Sequence, residues 1–131
     1  MTDDADFTDA FCEFLQFSVT AVDAAELLLL LHEDPEKSWA PQEVVAKLRP
    51  GTNLTETEAA KYLDVFHGRG LLARDDDARV RYLPASAEID AHVRMLAKLY
   101  NERPVTLIRV IYGLRDTRIK SFADAFKFRR K

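Results

Sequence analysis

An acidic turn is flanked by three arginines in all, and these are the side chains best suited to bind an anion. Arg74 precedes the aspartates at 75–77, and Arg79 and Arg81 follow them, in the segment LLARDDDARVRYLP. Guanidinium groups bind phosphate oxygens through paired hydrogen bonds and also enter the minor groove of DNA. These three residues are therefore candidate DNA contacts. A competing interpretation is that the aspartates neutralise the arginines within the same hairpin.

The residues that usually carry catalysis or bind metals form no recognisable pattern. His32, His67 and His92 fall in separate predicted elements, as does the single cysteine, Cys12. No pair has the spacing of a zinc site, and the aspartate run lacks the glycine and distal glutamate of a calcium loop. No glycine-rich phosphate loop or nucleophile motif occurs. We therefore expect no catalytic residue, no metal site and no cofactor, and the sequence predicts that the protein is not an enzyme.

The composition predicts one folded domain. The chain has 131 residues, 47% of them hydrophobic, which suffices for one core. A single cysteine fits a reducing compartment, and the acidic N-terminus lacks the basic stretch of a secretory signal. The densest apolar run, at 24–31, contains Glu26 and is too short to cross a bilayer. We expect a cytoplasmic protein that does not contact membranes.

The two halves of the chain carry opposite charge. Residues 1–70 hold 14 acidic and 5 basic residues, whereas residues 71–131 hold 8 acidic and 14 basic residues. This asymmetry is compatible with a C-terminal half that faces nucleic acid. It is equally compatible with an attraction between the two halves, within one chain or across a dimer. The final KFRRK is suited to hold phosphates as an arm.

The segment before the arginines predicts a helix with a defined start. Thr55 and Glu58 have the spacing of a capping box, and Gly68 or Gly70 ends the helix. The helical period places one group of residues on a buried face, namely Ala59, Leu63 and Phe66. It places another group on the solvent face, namely Thr57, Glu58, Lys61, Asp64 and Val65. The two segments around the aspartates then predict a hairpin.

Further helices are predicted on both sides of this unit. An aromatic stripe predicts a first helix over 6–17, and a capping pair at Thr20 and Asp23 predicts a second. A third begins near 39–41, and later helices cover 87–101 and begin at Pro104 and Ser121. A small-molecule pocket is possible between the hairpin side and the flanking helices. Its candidate lining residues are Trp39, Tyr62, Tyr100 and Tyr112. Amphipathic aromatic residues of this kind equally suit the edge of the core.

The aromatic stripe has two interpretations. It packs inside the chain, or it forms half of a dimer interface, where phenylalanine is enriched. We favour the interface and assign to it the residues Phe7, Phe11, Phe14, Ile108 and Ile111.

The order of three helices over 20–67 followed by the hairpin over 71–83 resembles the winged helix-turn-helix superfamily. With extra helices on both sides, the plan is most similar to MarR-type regulators, and the ending IRVIYGLRDTRIKSFADAFKFRRK is similar to a group of uncharacterised proteobacterial winged-helix proteins. The resemblance implies a fold that is mainly α with a two-stranded β wing. It implies a single domain over 1–131, with an N-terminal helix (1–19), a winged-helix core (20–84) and C-terminal helices (85–131).

The resemblance also implies a dimeric, DNA-binding transcriptional regulator that recognises double-stranded DNA. The recognition helix then falls on 55–66, with Thr57 and Lys61 toward the bases, and the wing carries Arg74, Arg79 and Arg81. The recognition helix departs from the usual pattern, because it presents Glu56, Glu58 and Asp64 beside one lysine. The alternative is a winged-helix module that binds a protein partner through this acidic helix or the phenylalanine stripe.

Overall fold

The computed structural model describes residues 7–48, 54–75 and 77–114, which are mainly helical with a small antiparallel sheet. In chain order the elements are α1 (Asp9–Ser18), α2 (Val22–Glu33), α3 (Pro41–Leu48), α4 (Glu56–Gly68), β1 (Leu72–Arg74), β2 (Val80–Tyr82), α5 (Ala87–Glu102) and α6 (Pro104–Leu114). The expectation of a mainly α chain with a two-stranded hairpin is confirmed at this level. The helix predicted from Ser121, the terminal KFRRK and Asp76 of the turn lie outside the described residues.

Helix α2 lies at the centre of the core. Its side chains at Leu27, Leu28 and Leu31 have no exposed surface, and the helix contacts α3, α4, α5 and β2. Buried side chains from every one of these helices and from both strands join one hydrophobic cluster. Removing this apolar surface from water is the main stabilising contribution to such a core.

Helix α4 begins as its sequence predicts. The Thr55 hydroxyl accepts a hydrogen bond from the Glu58 N–H at 3.1 Å, and a Glu58 carboxylate oxygen accepts one from the Thr55 N–H at 3.1 Å. Ala59, Leu63 and Phe66 are buried, while the residues predicted for the solvent face are exposed. The capping box and the helical period are therefore confirmed.

The starts of the first two helices differ from their predictions. Helix α1 begins at Asp9 rather than at residue 6, because the Thr8 hydroxyl caps it by accepting from the Phe11 N–H at 3.1 Å. Helix α2 begins at Val22, with Ala21 at the N-cap and no side-chain cap, so the capping pair of Thr20 and Asp23 was wrong. The two helices meet at a bend of 100°, and Thr20 lies in the connection that makes this turn.

The hairpin is attached to the helical part by a one-residue bridge. The Trp39 N–H donates to the Val80 carbonyl at 2.7 Å, and the Val80 N–H donates to the Trp39 carbonyl at 2.8 Å. Within the hairpin, Ala73 lies opposite Arg81 and Leu72 opposite Tyr82. Val80 and Tyr82 are buried and Arg81 is exposed, as the alternation of a strand requires. The segment before α3 thus fixes the hairpin against the core.

Candidate nucleic-acid interface

The chain passes directly from α4 into the hairpin at Gly70. This residue has a φ of 81°, which glycine adopts without the steric cost that a side chain would add. A Cβ atom there would lie 3.1 Å from the Cβ of Ala85, which is closer than most real contacts. The turn therefore favours glycine for two reasons, and it sets α4 and β1 side by side.

The Asp75 side chain stabilises the turn through hydrogen bonds to the backbone. One oxygen of Asp75 accepts hydrogen bonds from the N–H groups of Asp77 at 3.0 Å and Arg79 at 2.9 Å. Ala78 follows with a φ of 62°, a left-handed conformation that is unusual for alanine. Neither Asp75 nor Asp77 forms an ion pair within the described ranges. Asp75 and Asp77 therefore do not bond the arginine side chains directly there, and the neutralisation of charge across the hairpin stays a prediction, since Asp75 lines the same depression as the three arginines.

Two of the three arginines pair with carboxylates of neighbouring helices. Arg74 Nη2 lies 2.6 Å from Asp64 Oδ1 on α4, and Arg79 Nη2 lies 2.7 Å from Glu43 Oε1 on α3. Arg79 also donates to the Ser38 carbonyl at 3.1 Å. Both pairs are open to solvent, with 36% of each arginine side chain exposed. Water and a competing anion can reach both pairs.

Glu43 has a second function at the start of α3. Its Oε1 accepts a hydrogen bond from the Ala40 N–H at 2.9 Å. This bond, followed by the charges of Arg79 and Lys37, holds the pKa of Glu43 below its usual value despite some opposing desolvation. The carboxylate therefore stays ionised beside Arg79. No local sequence signal reveals this pair, because the two residues are 36 positions apart.

All three arginines line one depression on the outer side of the hairpin. Its volume is about 120 Å³, and its other lining residues are Ser38, Ala73 and Asp75. Arg81 is exposed and has no ion pair with the residues the structure describes. The depression is smaller than the roughly 300–1,000 Å³ of a small-molecule pocket. The three arginines would attract a small anion such as one phosphate group, and the carboxylate of Asp75 would oppose it.

The solvent face of α4 carries both signs of charge. Thr57 and Lys61 are exposed, as the DNA interpretation requires. Glu56, Glu58 and Asp64 are exposed as well, but two of them are engaged: Glu58 in the capping box and Asp64 with Arg74. Within the described part of the chain, Glu56 has no ion pair.

The predicted dimer interface is largely inside the single chain. Phe11, Phe14 and Ile111 are 2%, 7% and 2% exposed, so their assignment to an interface between copies is corrected. The Phe14 ring stacks on the ring of His92 of α5, with 5.3 Å between the ring centroids, which explains the burial of Phe14. Phe7 and Ile108 are half-buried. Phe11 and Phe14 therefore pack within one chain, which was the competing interpretation of the aromatic stripe.

One of the four aromatic residues proposed for a pocket lines the largest groove described here, which is formed by helices alone. Tyr100 lines this groove, between α2, α3 and α5, whereas Trp39, Tyr62 and Tyr112 do not line it. Sequence reasoning missed Glu26 and His32, which line the same groove from α2. Glu26 stood out only as a charge within an apolar run, which indicates a special environment but not its partner.

The described residues contain neither a metal-ligand cluster nor a single membrane-spanning helix. No three histidine, cysteine, aspartate or glutamate side chains in those ranges converge as metal ligands would. No single helix there is long and apolar enough to cross a membrane, and the bent pair α1–α2 reaches that length and composition only in combination.

No family model, no curated protein and no solved structure matches this chain.

Proposed function

We propose that this protein is a DNA-binding transcriptional regulator of winged-helix type. The observation that carries the proposal is the depression in which Arg74, Arg79 and Arg81 meet beside α4. Phosphate contacts from arginines fix the position of a protein on the duplex, and a helix next to them is then placed to read base edges.

The arrangement of elements supports this proposal. Helices α2, α3 and α4 precede the hairpin, which is the order that the winged-helix resemblance implies. The ion pair between Asp64 and Arg74 joins the solvent face of α4 to β1. A duplex that meets the hairpin would therefore also meet Lys61 and Thr57, which are exposed on that helix.

Binding to DNA requires an exchange of partners at two arginines. Phosphate oxygens would replace the carboxylates of Asp64 and Glu43 around Arg74 and Arg79. Exposed ion pairs contribute only about 0–1 kcal/mol, so a phosphate can displace the carboxylate at Arg74. Arg81 and Lys61 have no such competitor among the described residues and would make the first contacts.

Sheared genomic DNA of the source organism, retained by the purified protein and sequenced, tests this proposal. Enrichment of a few upstream regions is expected, and recovery at background level would refute DNA binding. On a recovered duplex, Arg79→Ala with Arg81→Ala should weaken binding. It should also reduce the slope of log K against log salt by about 1–2, since each phosphate contact contributes about 0.9. An unchanged slope would remove the hairpin from the interface.

A second candidate function is the binding of a protein partner through α4. The specific observation is the acidic solvent face, where Glu56 is unpaired in the described part of the chain and Val65 is 40% exposed. Reversal of Glu56 to Lys is the appropriate test variant, since Glu58 belongs to the capping box. A partner recovered by crosslinking at α4 should be lost with Glu56→Lys and retained with Glu102→Gln. Retention by both variants would exclude this face.

We also propose that the protein forms a homodimer, now through α6. Val105 and Tyr112 are 63% and 46% exposed, and half-buried Ile108 lies between them at helical spacing. Light scattering at micromolar concentration should give the mass of a dimer, and Val105→Glu should give that of a monomer. A monomeric mass for the unmodified protein would refute the dimer.

A further inference from the structure

A groove of about 680 Å³ opens between α2, the C-terminal end of α3 and α5. This volume falls within the roughly 300–1,000 Å³ range of small-molecule sites. Its apolar side is formed by Leu29, Leu30 and Leu48, which are half-buried. It shares no residue with the arginine depression.

Glu26 is a half-buried carboxylate of this groove, which the half-buried imidazole of His32 also lines. Its Oε2 accepts a hydrogen bond from the Tyr100 hydroxyl at 2.5 Å. Burial and then this bond raise the pKa of Tyr100 to about 12, so the phenol stays neutral and keeps its proton for the hydrogen bond to Glu26. Within the described ranges no cationic side chain pairs with Glu26. Glu33 and Lys47 also line the groove, but both are exposed and opposite in charge.

The chemistry of the groove identifies a class of ligand. A carboxylate beside apolar surface loses hydration, and a neutral phenol compensates for only part of that loss. A cationic group would compensate more fully and would form a charge-assisted hydrogen bond. The leucines next to it would bury an apolar group. An anionic ligand would instead be repelled by Glu26.

We infer that this groove binds a small organic cation with an apolar body, such as an aralkyl amine, with its cationic group on Glu26 and its body on the leucines. This site is additional to the proposed DNA interface. Its test needs no DNA, so its failure and the failure of DNA binding are distinguishable.

Phenethylammonium is a suitable probe, with phenethyl alcohol and 3-phenylpropanoate as neutral and anionic compounds of similar size. Titration of the full chain by methyl NMR should show saturable shifts at Leu29 and Leu30. The cation should bind about tenfold more tightly than the alcohol, given the strength of hydrogen bonds to charged groups. The carboxylate should bind least.

The decisive variant is Glu26→Gln, whose amide oxygen can still accept from Tyr100. It should reduce the affinity for the cation to that for the alcohol. Glu33→Gln, which removes an exposed charge of the same groove, should preserve most of the preference for the cation over the alcohol. Equal loss in both variants would mean that only general electrostatic attraction acts, and would overturn the inference. So would equal affinity for the three probes, or no saturable shift at the leucines. The three-probe comparison on the unmodified chain stands even if Glu26→Gln fails to fold.

Discussion

If the protein binds DNA as proposed, replacement of Asp64 by Asn should strengthen that binding, because the Asp64 carboxylate would compete with phosphate for Arg74. The two side chains are 2.6 Å apart, and 69% of the Asp64 side chain is exposed. An exposed pair of this kind is worth about 0.2–1 kcal/mol. At about 0.59 kcal/mol for RT, releasing the arginine corresponds to an affinity gain of about 1.4- to 5-fold. Removal of a negative charge beside the phosphate acts in the same direction.

The measurement is fluorescence anisotropy on a duplex recovered from genomic DNA, over a series of salt concentrations. Asp64→Asn should raise the affinity and leave the salt slope unchanged. In the unmodified protein the ion pair of Asp64 and Arg74 would already open when DNA binds, so the substitution adds no phosphate contact. Arg74→Gln should lower the slope by about 0.9. In the double variant, most of the gain from Asp64→Asn should disappear, because no arginine remains to be released.

Glu102→Gln provides the matched control. It removes the same charge from an exposed site, which lies about 18 Å along α5 from Asp90, the residue that bonds Tyr82 of the hairpin. An equal gain in DNA affinity in this control would mean that the gain in Asp64→Asn comes from net charge alone. A loss of affinity in Asp64→Asn would refute the reasoning outright, since Asp64 would then position Arg74 for DNA rather than compete for it.

Three further predictions concern stability. Thr55→Ala should lower the free energy of unfolding by about 0.5–2 kcal/mol in urea denaturation, whereas Thr55→Ser should retain most of the cap. Phe11→Ala should lower it by about 3–5 kcal/mol, because the ring is buried within one chain; a loss that depended on protein concentration would return Phe11 to an interface. The folded-state pKa of Tyr100, about 12, lies above the usual value of about 10, so the unfolded chain releases this proton first as pH rises. The free energy of unfolding should therefore fall from pH about 10 to about 12, and Tyr100→Phe should reduce that fall, whereas an equal fall in the variant would contradict the assignment.

The features that the sequence predicted correctly are those determined by neighbouring residues. The capping box of α4 needs only residues 55 and 58, and its buried face follows from the helical period. The alternation of Val80, Arg81 and Tyr82 follows from strand geometry in the same way. The predicted start of α2 was wrong: the helix begins at Val22, and Thr20 lies in the connection at which the two helices bend by 100°.

The chemistry of the candidate interface could not be predicted by the same means. The sequence predicted where the arginines lie, but their partners come from helices 10 and 36 positions away. The adjacent aspartates were the obvious partners by position, yet Asp75 uses its carboxylate to close the turn. The charge of this surface therefore also depends on Asp64 and Glu43, which lie outside the segment. Because Arg74 and Arg79 are paired with the scaffold, the proposed interface would offer DNA Arg81 and Lys61 first, and Arg74 and Arg79 only after an exchange of partners. An interface of this kind should bind DNA weakly without base contacts, so its specificity would depend on what α4 reads.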